Sequence, residues 1–98
     1  MSKKQPIVQA DTEEGQRAGE ALVEAVENQL RDDDPPEVNK AMDRLLALGE
    51  TRENAMRYIS TVFSIEVYET VKNQTPFDLG RYVKNLKALP KLPYDDEE

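Results

Sequence analysis

Between Thr51 and Asn73 apolar side chains recur at three- and four-residue intervals, with no Gly or Pro to interrupt them. Wound at ~100° per residue, Ala55, Met56, Tyr58, Ile59, Val62, Phe63, Ile65 and Val67 share one arc. Arg57, Ser60, Thr61 and Ser64 fall on the opposite side. The arc takes up about half the cylinder, wider than the ~100° stripe of an ordinary surface helix. The pattern predicts a central helix over 51–73 that must touch two or more partners.

Three further amphipathic segments surround it. Residues 11–31 carry Ala18, Ala21, Leu22, Ala25, Val26 and Leu30 at helical spacing, with Asp11 and Glu14 placed as a capping box. Gly15 and Gly19 lie four apart near this face. They suit either close approach of another helix or a frayed first turn, since each Gly costs ~1 kcal/mol against Ala in a helix. Over 35–48, Val38, Ala41, Met42, Leu45, Leu46 and Leu48 form an apolar face, and Asn39, Lys40, Asp43 and Arg44 a polar one. Asp34 is placed to cap that helix, Pro35 to open it and Glu37 to complete a capping box. Gly49 stops it in the left-handed position, and Thr51 starts the next helix almost at once. Over 76–88, Leu79, Tyr82, Val83 and Leu86 repeat the pattern and lead to Leu89, with Thr75 as cap, Pro76 at the first position and Arg81, Lys84 and Lys87 on the wet side. Pro90 and Pro93 forbid further helix, and Leu92 and Tyr94 are placed to pack back.

The expected fold is therefore all-α, a small four-helix bundle-like domain over residues 11–93. Residues 1–10 read as a disordered arm and residues 94–98 as a disordered acidic tail. One domain suits 98 residues, because single cores usually serve ~100–150.

Two polar residues break the apolar faces. Gln29 sits among Ala25, Val26 and Leu30, and Glu66 among Val62, Phe63 and Val67. A carboxylate so placed loses water and needs a hydrogen-bond partner. One expectation is that Gln29 and Glu66 meet, or share a water, inside the core; the other is that they lie at an interface edge and reach solvent. With Glu69 and Tyr68 they make up the buried polar candidates.

Composition narrows the chemistry. The chain has no Cys, His or Trp, which excludes disulfides, Cys/His zinc sites and a histidine general base. The run Asp32-Asp33-Asp34 lacks the alternating ligands, Gly and distal Glu of a calcium loop. The net charge is −7, and residues 1–37 hold ten acids against four bases. That balance disfavours nucleic acid and anionic membranes and suits a basic protein partner. No apolar run has the ~18 residues of a membrane span, and Met1–Gln9 lack the apolar core of a signal peptide, so a cytoplasmic location is expected.

The run from Val26 to Glu69, followed by Pro76–Pro93, resembles a family of small all-helical bacterial proteins, a domain of unknown function. The elements of resemblance are Glu27, Gln29 and Leu30; Pro35 to Val38; Arg44, Leu45 and Gly49; Glu66, Tyr68 and Glu69; and Arg81, Tyr82, Leu86, Leu89 and Pro90. The likeness covers residues ~20–93. It implies no activity. Histidines in the first and third helices of that family imply a metal site beside the glutamates, and this chain departs from the pattern by having none.

The reading these features support is a small acidic helical protein without catalysis or cofactor, serving as a protein–protein interaction or regulatory module. The alternative is a carboxylate-based metal or enzymatic site around Glu66, Glu69 and Gln29, with Tyr58 or Tyr68, because carboxylates three apart are neighbours on a helix. Self-association through any uncovered part of the central arc, and nucleic-acid mimicry by the acidic first helix, stand as further alternatives.

Overall fold

The central segment folds into a helix of 22 residues, Arg52–Asn73. The computed structural model describes residues 13–96 and holds four helices: α1 (Glu13–Asp32), α2 (Pro36–Ala47), α3 (Arg52–Asn73) and α4 (Leu79–Ala88). A 3₁₀ turn, Pro93–Asp96, follows at the start of the stretch assigned to the acidic tail. No strand occurs among the described residues, so the fold is the small all-α bundle that the periodicity predicts. The arm over 1–10, Asp11 with its capping box, and Glu97 and Glu98 lie outside the described residues.

The core forms where four apolar stripes converge on α3. Val26 of α1, Val38, Ala41, Met42 and Leu45 of α2, Ala55, Met56, Ile59 and Val62 of α3, and Tyr82, Leu86 and Leu89 from the last segment are buried together. Leu30, Tyr58, Phe63 and Leu92 pack partly buried against them. α3 meets α1, α2 and α4, as its broad arc requires.

The link between α2 and α3 has a geometric cause. Gly49 adopts φ +100°, and its N–H bonds to Leu46 O while the Glu50 N–H bonds to Leu45 O, the paired bonds of a Schellman stop. Thr51 then caps α3, its side chain accepting from the Asn54 N–H at 3.0 Å.

Several expectations are corrected. Asp34 does not cap α2: Pro35 holds the cap position in an extended conformation with no side-chain bond, and Pro36 takes the first turn. The residue before a proline is pushed out of the helical region, so the second proline opens the helix. α4 starts at Leu79, not 76; Asp78 is its cap and accepts from the Arg81 N–H at 3.0 Å. Residues 75–78 stay non-helical, and Phe77 packs on Phe63 and Tyr82, with ring centroids 5.8 and 5.5 Å away. Leu46 and Leu48 are exposed, because only positions 38, 41, 42 and 45 face inward. Close approach of a helix to Gly19 within the chain is likewise absent: a Cβ there would meet nothing within 4 Å among the described residues.

The two glycines are therefore expected to respond in opposite directions. Gly19→Ala raises stability by ~0.5–1 kcal/mol, through helix propensity into open space. Gly49→Ala lowers it by ~1–2 kcal/mol, because its backbone is left-handed. Urea denaturation midpoints check both signs.

Candidate functional site

The polar residues that interrupt the apolar faces find their partners on α4. Glu66 is buried at 1 % exposure, and Arg81 grips it with two parallel bonds, Nε to Oε1 and Nη2 to Oε2, each 2.9 Å. This fork-on-fork geometry is the strong form of an ion pair. The Arg81 side chain is half-exposed, so it keeps part of its hydration while neutralising a carboxylate that has lost its own. The Glu66 bond and charge hold the guanidinium above its ordinary pKa, which keeps it cationic.

One residue on, Tyr82 turns the other way. Its Oη donates to Gln29 Oε1 at 2.7 Å, tying α4 to the far end of α1. Burial pushes the phenol well above its ordinary pKa of 10.0. Phe63, Phe77 and Tyr82 surround this point as a trio of tilted rings, with centroids 5.5–5.8 Å apart. Gln29 and Glu66 thus do not pair with each other; adjacent residues of α4 serve them separately.

The other candidates lie further out. Glu69 is half-buried and accepts from Asn73 Nδ2 at 3.0 Å, one helical turn along. Tyr68 is half-buried, with Lys72 Nζ 5.7 Å from its ring centroid. Both Glu66 oxygens being held by Arg81, the carboxylate set expected for a metal is not assembled, and no group of three Asp or Glu gathers among the described residues.

Two polar residues that sequence pattern placed on an outer face of α2 work at helix ends instead. Arg44 donates to Leu89 O at 3.0 Å and Leu86 O at 2.6 Å, closing the end of α4. A cation suits that negative end. Asn39 Nδ2 donates to Leu30 O and to Asp33 Oδ1, both at 2.9 Å, holding the turn after α1. Nothing in local spacing separates these residues from ordinary surface groups, because the carbonyls they reach belong to other helices.

A groove of about 940 Å³ lies between α1 and α3. Gly19, Leu22 and Val23 line it from α1, and Ser60, Thr61 and Ser64 from α3. Glu20, Glu24 and Glu27 edge the α1 side, and Arg57 stands on α3. Val23 is 41 % exposed. Ser64 Oγ bonds back to Thr61 O at 2.8 Å, while the Ser60 hydroxyl is buried with no partner among the described residues. The residues that looked like the polar back of the central helix therefore form one wall of a trough.

The chain matches no family model, no curated protein and no solved structure. The groove and the polar ties must then be judged by their own chemistry. No helix among the described residues is long and apolar enough to cross a membrane.

Two outcomes test the polar ties. Arg81→Met is expected to destabilise the protein more than Glu66→Leu, because the first strands a buried carboxylate and the second frees an arginine that reaches water; thermal unfolding of both variants gives the order. Tyr82→Phe is expected to cost ~0.5–1.5 kcal/mol at neutral pH through the lost bond to Gln29. Since burial raises the folded-state phenol pKa above 10.0, its contribution is complete below that pH and is lost as pH rises toward the folded value. Wild-type stability should therefore fall more steeply above pH 10.0 than that of Tyr82→Phe, as denaturation at a series of alkaline pH values would show.

Proposed function

We propose that the protein is a non-catalytic interaction module whose α1–α3 groove receives a basic protein partner. The observation that carries this reading is the groove itself, with Leu22 and Val23 in its wall and carboxylates along its α1 edge. The reactive-looking groups elsewhere are engaged in architecture. Gln29, Arg44, Glu66, Arg81 and Tyr82 all make bonds between helices. Those five also belong to the elements that resemble the small bacterial helical proteins, so the likeness is better understood as a signature of a fold than of an activity. Membership of that family and a cytoplasmic location are part of the same reading.

Acids along one edge steer and orient a basic partner more than they add affinity, and their effect falls with salt. Glu20 and Glu24 are exposed, so their replacement leaves the core untouched. The test compares proteins retained from native lysate by the wild-type chain and by a Glu20→Lys, Glu24→Lys variant, at low and high salt. The wild type should retain basic proteins, and charge reversal should cut retention about tenfold at low salt. The same set retained in the same amounts by both forms would defeat the proposal.

A further inference from the structure

We propose that the α1–α3 groove accommodates an amphipathic helix of the partner protein, with an apolar stripe on Leu22 and Val23 and a lysine- or arginine-bearing flank along the Glu20–Glu24 edge. This rests on the preceding reading and names what that partner presents.

The shape of the walls comes first. On α1 the lining recurs at Gly19 and Val23 and at Glu20, Glu24 and Glu27, and on α3 at Arg57, Ser60, Thr61 and Ser64. These are helical spacings of three and four over about two turns. The trough is thus bounded by side-chain ridges, the relief into which a third helix packs. Backbone chemistry points the same way. The walls are helices whose peptide groups are already bonded within themselves, so they offer an extended peptide no ladder to join. A strand laid there would leave its own N–H and C=O groups facing Leu22 and Val23, at the cost of burying unpaired polar groups. A helix brings its hydrogen bonds with it.

Gly19 supplies a second argument. Glycine inside a helix costs ~1 kcal/mol against alanine, and no contact among the described residues uses the missing Cβ, since an added one meets nothing within 4 Å. Yet the residue lines the groove, where a bare backbone lets a partner side chain approach.

Charge then selects the occupant. Glu27 is already bridged to Arg52 at 3.2 Å, while Glu20 and Glu24 continue the carboxylate edge beyond it. A second copy would carry its own net charge of −7 toward this edge, so a basic partner is favoured over self-docking. The volume, about 940 Å³, is at the upper end of the ~300–1,000 Å³ of small-molecule pockets.

The test places the photo-crosslinking residue p-benzoylphenylalanine at position 23 of the full chain, irradiates the cells that make it and sequences the captured peptide by mass spectrometry. The expected peptide has apolar residues at three- and four-residue spacing and an excess of Lys and Arg. Gly19→Leu, whose side chain projects into the open groove, should lower the crosslink yield about tenfold, as changes at an interface hot spot do. Circular dichroism confirms that this variant keeps its helices; the captured sequence decides the matter even where it does not. A peptide lacking helical periodicity, or an acidic one, overturns the helix while the interaction reading survives. A captured second copy, or residues 1–12 of the same chain, overturns it too. No protein captured at position 23 overturns both.

Discussion

The bundle depends on one short element reaching two others. α4 has ten residues, too few to hold its conformation alone in water, yet it carries Arg81 and Tyr82 side by side. Arg81 clasps the buried carboxylate of α3 and Tyr82 clasps the amide of α1. Arg44 closes the other end of α4 from α2. A helix too weak by itself is therefore fastened to all three neighbours, by directional bonds rather than by apolar contact alone. Apolar surfaces tolerate sliding; a bidentate guanidinium–carboxylate pair at 2.9 Å admits one register.

This arrangement also explains how a carboxylate is accommodated in a small core. Dehydrating Glu66 is costly, but Arg81 approaches it from the solvent side and stays half-wet, so only one of the two charges loses most of its water. Tyr82 is the counterpart: its ring belongs to the aromatic trio with Phe63 and Phe77, and its hydroxyl alone seeks a polar partner.

The two ends of α1 differ in kind. Its later part is anchored by Val26 in the core, by Leu30 beside it and by Gln29 on Tyr82. Over Gly19–Val23 the helix instead borders a trough, with Val23 partly exposed and Gly19 facing open space. The same division runs through the chemistry: polar groups that could have been reactive are drawn into the tight end, and the open end is left with aliphatic, hydroxyl and carboxylate surface. The proposed binding role rests on that division.

Periodicity was sufficient for the elements. Four amphipathic stripes, Gly49 as a stop and Thr51 as a start were legible because each is a local rule, acting within a few residues of backbone. The same local rules placed Gln29 and Glu66 on apolar faces, which marked them as residues in need of partners. Which partners they took was not legible, because Arg81 lies 15 residues from Glu66 and Tyr82 lies 53 from Gln29. Tertiary packing alone decided that Arg44 and Asn39 serve carbonyls on other helices, and that Ser60, Thr61 and Ser64 line a groove rather than face open water. Helical phase is set by neighbours three and four residues away; what stands across from a side chain is set by how whole helices cross, which spacing along one of them does not encode.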